Sequence, residues 1–314
     1  HMLFGFLTLV LILLLSNLLH NKIENKFRVL GKKSNSTSNK DFKTFIYFVI
    51  SPLLIGVLMW TGSANSYGGI LKSTVKPPYA GDLDKNCQRD TFDGQPCIYG
   101  QNKSSKSILL IGDSHAGMLS EAFVQAAVQV KFRAIVWTHS GCRFSLYHYE
   151  NYDSHCYLIS QDIYHYVKVN KPDAIFISQY ITSSEPLHIL EKSIDSLRKY
   201  SERIFIVGNT PVFPDEQDFM KARPLIMPRY LAPKYFNISE MNQEQFTISK
   251  KLKVWAELNR LNFIDLNDLY CNLQNCIRWS QKGWLFRDSD HLSVEGASLS
   301  NNLFKSAILT LKDS

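Results

Sequence analysis

Two short groupings in the chain hold residues whose types and spacing suit nucleophilic chemistry. One is Gly112-Asp113-Ser114-His115; the other is Asp288-Ser289-Asp290-His291. Ser114 comes directly after a short apolar run and opens a helical stretch, with Gly112 permitting a tight turn. At a helix N-terminus, unpaired amides and the positive end of the dipole stabilise an anion developing at an attacked carbonyl. A serine there is also a common N-cap, so a partner base has to carry the case. His291 is that candidate, because imidazole titrates near neutral pH. Asp288 precedes it by three residues, where a turn aims its carboxylate at the other ring nitrogen and fixes the tautomer. Asp290 competes for the role, but adjacent side chains usually diverge. Ser114 as nucleophile, His291 as base and Asp288 as orienting acid make a set for acyl transfer through a serine ester.

These residues need a scaffold that brings positions 114 and 291 together. Short unbroken apolar runs at 107–111 (SILLI), 134–137 (AIVW), 174–178 (AIFIS), 203–207 (RIFIV) and 262–266 (NFIDL) read as strands. Helical patterns cover about 115–129, 157–168, 187–200, 243–260 and 294–311. Such alternation implies a five-stranded parallel sheet covered on both faces, an α/β domain of three layers, α/β/α. Sites in such sheets form beyond the carboxyl ends of the strands, where both groupings fall.

The chain has 314 residues and a net charge of +7. At face value that suits polyanions, but the charge is unevenly placed. Residues 3–19 and 44–60 carry no charged side chain and are long enough to read as two transmembrane helices. Between them lie seven basic residues, Lys22, Lys26, Arg28, Lys32, Lys33, Lys40 and Lys43, against Glu24 and Asp41, a net +5. That bias places the loop in the cytoplasm and the rest of the chain on the far side. Only +2 is left for that remainder, which removes the argument for nucleic acid. Residues 1–60 are thus two membrane helices, 61–106 a linking extension rich in Gly, Ser and Pro, and 107–314 the α/β domain. The opening His1-Met2 looks like a cloning remnant, and the orientation of the first helix points to the C-terminal part of a larger multi-span protein.

The six cysteines form three near pairs, Cys87/Cys97, Cys142/Cys156 and Cys271/Cys276, without zinc-ligand spacing. Disulfides Cys87–Cys97, Cys142–Cys156 and Cys271–Cys276 are the simplest account and agree with export to an oxidising compartment, although other connectivities remain open.

The motifs IGDSHAGML (111–119) and DSDHLSVEGA (288–297) resemble those of the SGNH hydrolase superfamily, with its flavodoxin-like fold. More specifically, the whole chain is similar to the C-terminal part of membrane acyltransferase-3 proteins fused to a periplasmic SGNH domain, among them bacterial O-antigen and polysaccharide O-acetyltransferases. The resemblance implies a multi-pass inner-membrane protein with its SGNH domain in the periplasm. It also implies partnership with the acyltransferase-3 domain of the same protein, acetyl-CoA as the original donor, and a glycan acceptor. No metal or cofactor is expected in the SGNH domain itself. The oxyanion hole would comprise the backbone N–H groups of Ser114 and Gly141. The family's third block supplies an asparagine; here the matching strand ends FISQYITSS, so either Gln179 substitutes as donor or, more simply, the hole is incomplete or built by backbone alone. Asn209 follows the next strand, in the wrong block for that role.

Tyr147, His148, Tyr149, Tyr152 and His155 crowd one loop and would suit sugar stacking or simple packing. Arg223 and Arg229 would suit an anionic glycan or be ordinary surface charge. The implied activity is O-acetylation of a cell-surface polysaccharide, O-antigen of lipopolysaccharide foremost. Its rivals are a periplasmic carbohydrate esterase or deacetylase with the same triad, and a catalytically silent glycan-binding module.

Overall fold

Side chains of a strand alternate between faces, and a strand apolar on both must be covered on both. In the strand Ser107–Gly112, Ile108 and Leu110 join one core cluster while Leu109 and Ile111 join another. The same split separates Phe176 from Ile175 and Ile177, and Phe205 from Ile204 and Ile206. The computed structural model describes residues 96–100, 106–149, 152–183, 187–214 and 233–312. Backbone proximity divides the chain into His1–Asn65 and Ser66–Ser314, and every described residue belongs to the second unit.

The strands are β1 (Cys97–Tyr99), β2 (Ser107–Gly112), β3 (Arg133–Thr138), β4 (Ala174–Ser178), β5 (Arg203–Val207), β6 (Tyr235–Asn237), β7 (Asn262–Ile264) and β8 (Asn275–Ile277). The helices are α1 (Ser114–Gln129), α2 (Ser154–Asn170), α3 (Leu187–Arg198), α4 (Gln243–Leu258), α5 (Asn267–Tyr270), α6 (Val294–Ser298) and α7 (Asn301–Leu309). The main sheet runs β1-β3-β2-β4-β5-β7; β6 and β8 form a separate antiparallel pair. One core cluster takes Phe123 from α1, Ala297 from α6 and Phe304 from α7; the other takes Ile163 from α2, Leu190 from α3 and Leu252 from α4. Phe176 stacks on Phe205 at 4.4 Å and meets Phe123 and Phe304 edge-on.

The five strands read from the sequence all stand in this sheet and pair in parallel. The sheet is nevertheless six-stranded and mixed, which corrects the expected five-stranded parallel one. The additional strand, β1, pairs antiparallel with β3. It has three residues, too few to show a period, and only its non-local pairing defines it. The long final helix expected over 294–311 is two helices, because Ser300 sits fully buried between them and its hydroxyl bonds Ala297 O.

The expectation of two transmembrane helices, and with it the inner-membrane and periplasmic placement, is also corrected. Among the described residues no helix is long and apolar enough to cross a membrane. The segments 3–19 and 44–60 themselves lie outside the described residues, as do Cys87, Arg223 and Arg229.

Candidate active site

Strand β2 leads into the candidate nucleophile, Ser114. Its last residue, Gly112, has φ 143°, and a Cβ there would lie 1.7 Å from Ser178 O at the end of β4. Only glycine fits that approach of two strand ends. The N-cap of α1 is Asp113: its Oδ1 accepts the His115 N–H at 2.8 Å, and its Oδ2 accepts the Tyr180 N–H at 2.9 Å. Capping therefore falls to the buried Asp113 carboxylate, and Ser114 stands one residue inside the helix. Its Oγ lies 2.9 Å from His291 Nε2.

The candidate base, His291, lies in a turn closed by an antiparallel bridge between Phe286 and Leu292. The Arg287 N–H donates to His291 O at 2.8 Å, and the Leu292 N–H to Met118 Sδ of α1 at 3.1 Å. Thr210 Oγ1 donates to Asp290 O at 2.6 Å, and the Phe213 N–H to Ser289 O at 2.8 Å, so the segment after β5 also braces the turn. Asp288 Oδ1 accepts the His291 N–H at 2.8 Å and lies 3.0 Å from His291 Nδ1.

Asp290 does not diverge as adjacency suggested. Its Oδ1 is 3.3 Å from His291 Nδ1, and its Oδ2 is 3.4 Å from Nε2 of the buried His115. Two carboxylates thus converge on the imidazole. Burial acts against the charged ring, but the hydrogen bonds and charges of Asp288 and Asp290 outweigh it and push His291 from 6.5 up to about 10. Burial likewise opposes ionised Asp288 and Asp290, yet bonding to His291, and for Asp290 also to His115, holds both below the usual carboxylate range. Proximity of Asp290 and His115 was missed from sequence; the His directly after Ser114, at the start of α1, was the available signal.

Gly141 lies in the loop after β3 with φ 74°, and a Cβ there would touch nothing within 4 Å. That loop starts beside the nucleophile turn, since the His139 N–H donates to Gly112 O at 3.0 Å. Gln179 is buried, and its Oε1 accepts the Phe144 N–H at 2.9 Å, which ties the end of β4 to the Gly141 loop. Asn209 donates from Nδ2 to Ile181 O and Gln245 Oε1, both at 2.8 Å, so both amide hydrogens are spent on structure. The disulfide Cys142–Cys156 closes the same loop, and Cys271–Cys276 staples the turn before β8; Cys97 is also disulfide-bonded. Tyr149 stacks on Tyr152 at 4.7 Å, His148 tilts against Tyr157 at 3.9 Å, and Tyr152 Oη donates to Arg143 O at 2.7 Å, so much of the aromatic loop packs on itself.

His115, Asp290 and His291 offer ligand atoms within 4.8 Å of one another, the spacing of a candidate metal group among the described residues. Both ring nitrogens of His291 already face partners, Ser114 and the two carboxylates, so an ion would have to displace them. The arrangement as it stands is a hydroxyl, an imidazole and carboxylates in hydrogen-bond series, which activates an oxygen nucleophile.

Residues 85–306 match the family described as SGNH domain (fused to AT3 domains). Among solved structures, the periplasmic domain of a lipopolysaccharide acetyltransferase from Salmonella ser. Paratyphi A is similar, with TM-score 0.53 and 16% identity over 66% of this chain and 85% of that one. A putative arylesterase from Agrobacterium tumefaciens gives TM-score 0.42 and 10% identity over 66% of this chain and 99% of that one. A putative acylhydrolase from Bacteroides fragilis gives TM-score 0.40 and 14% identity over 68% and 91%. No curated protein matches the chain. The first of these likenesses shows a shared fold.

Proposed function

The chain belongs to the family of SGNH domains fused to AT3 domains, and from that premise we propose that it O-acetylates a hydroxyl of a cell-surface polysaccharide sugar, foremost O-antigen of lipopolysaccharide. The general chemistry is that of SGNH proteins, acyl transfer or ester cleavage at a serine. The observation that carries the reading is Ser114 Oγ at 2.9 Å from His291 Nε2 with Asp288 at 3.0 Å on the opposite nitrogen. The family's fusion to AT3 domains favours a donor handed over within one protein, with acetyl-CoA as the original acetyl source. The Salmonella relative, a lipopolysaccharide acetyltransferase domain with the same fold, supports a glycan acceptor.

In the first half-reaction neutral His291 takes the Ser114 proton at Nε2 while Oγ bonds to the acetyl carbon. The tetrahedral oxyanion faces the backbone N–H groups of Ser114 and Gly141. Collapse breaks the bond to the carrier, and the leaving group takes the proton back from Nε2. In the second half, the sugar hydroxyl gives its proton to His291 and attacks the ester; Ser114 Oγ leaves and recovers that proton. Asp288 holds the ring and stabilises the imidazolium formed in each half.

The test is Ser114→Ala in the full-length protein, reading O-acetyl groups on surface polysaccharide by proton NMR. Loss of acetyl supports the transfer. Unchanged acetylation sinks the serine mechanism, and increased acetylation identifies a deacetylase instead.

A further inference from the structure

Two like charges converging on one nitrogen repel each other, so something must hold the second in place. Asp288 is fixed by the His291 N–H as well as by the ring. Asp290 has no such double hold on His291 and reaches Nδ1 at 3.3 Å only through Oδ1, which also accepts from Ser289 Oγ at 3.1 Å. Its other oxygen lies 3.4 Å from His115 Nε2. His115 is 3% exposed, its ring stacked on Tyr180 at 4.8 Å and tilted against His291 at 4.8 Å. Its Nδ1 is buried with no hydrogen-bond partner. A buried N–H without an acceptor is costly, so the ring places its proton on Nε2, toward Asp290. Asp113, on the same turn, binds the His115 backbone N–H and fixes where the ring starts.

We propose that His115 is a positioning residue for acyl transfer: it holds Asp290 against the repulsion of Asp288, so that two carboxylates rather than one share the imidazole of His291. The catalytic imidazole then sits between paired supports, Asp288 on its own backbone loop and Asp290 anchored from α1. The inference rests on His291 as the base, since it assigns a device acting on that residue.

The groups facing this cluster are Asp288, Ser289, Asp290 and His291 from the turn, Ser114 and His115 from α1, and Tyr180 from the end of β4. Without His115, repulsion swings Asp290 outward and His291 loses one carboxylate. The test is NMR titration of His291 in the full chain with histidine labelled, a readout independent of activity. His115→Leu and Asp290→Asn should each lower the His291 midpoint by about one pH unit, and the double variant should fall no further. His115→Gln, whose amide nitrogen stands where Nε2 stood, should stay near wild type, while His115→Asn should fall like His115→Leu. If His115→Leu does not fold, the Gln and Asn variants decide the matter by the same contrast. An unmoved midpoint in His115→Leu or His115→Asn overturns the proposal, as does a double variant that shifts by the sum of the two. Fluorophosphonate labelling of Ser114, run alongside, separates the two readings: absence of labelling counts against the serine mechanism and leaves the titration to judge the role of His115.

Discussion

At the scale of single residues, the charge on His291 sets how the site responds to pH. The base must be neutral to take a proton, and the carboxylates push the imidazole from 6.5 up to about 10. Fluorophosphonate labelling of Ser114 should therefore accelerate with pH well above neutrality, and Asp288→Asn should move that rise to lower pH while slowing the plateau. A rise centred at the ordinary histidine value in the wild type would contradict this account. Stability runs the other way. A group whose folded pKa is raised contributes stability that is full below its unfolded value and lost as pH climbs through the folded one. The His291 contribution is then complete below about 6.5 and disappears toward about 10, so a melting temperature that falls over this window should fall less in His291→Gln. Ser114 and His291 could be singled out from the sequence because each stands in a short local motif, Ser114 just after a strand and His291 in a turn before the last helices. The second carboxylate could not: whether Asp290 turns toward the ring depends on Thr210 and Phe213 gripping the turn backbone, contacts that cross 80 residues of sequence in the case of Thr210.

At the scale of elements, close backbone approaches and loop anchors divide stability from rate. A Cβ at Gly296 would lie 1.8 Å from Leu285 O, where α6 presses on the strand-like segment leading to the catalytic turn. Gly296→Ala should cost at least about 2 kcal/mol, read as a lower urea midpoint. Gly141→Ala meets no neighbour and should cost only about 1–2 kcal/mol from its positive φ. Alanine keeps the backbone N–H, so the acylation rate drops out of proportion to the midpoint only if that amide serves the oxyanion and the strained φ turns it away; the about 10²–10³-fold cost of losing one donor is the upper bound. Equal loss of midpoint and rate in the two variants would deny Gly141 that part. The parallel strands were legible from their unbroken apolar runs. The split between α6 and α7 was not, because the helical period continues through Leu299 and Ser300 and only tertiary burial of Ser300 interrupts it.

At the scale of the whole molecule, Ser114 and His291 are 177 residues apart in sequence and meet only when the sheet and its last helices are assembled. The packing of Phe304 of α7 on Phe123 and Phe176 joins the two ends, at 5.5 and 5.9 Å between ring centres. Phe304→Ala should remove about 3–5 kcal/mol, and labelling of Ser114 should be lost together with the cooperative unfolding signal on heating rather than before it. Sequence periodicity could assign α1 and α7 to one face of the sheet only through the order of its strands, which no local pattern contains. The first strand has its own bearing on the molecule's behaviour. An unpaired β3, with its apolar AIVW core, would offer a row of open backbone donors and acceptors to any passing chain. By folding back antiparallel along it, β1 occupies that row, and at three residues it is itself too short to recruit another strand. Because Cys97, the first residue of β1, is disulfide-bonded, reduction should loosen this cover, and the reduced protein should self-associate through β3 into soluble oligomers or precipitate while the oxidised protein stays dispersed.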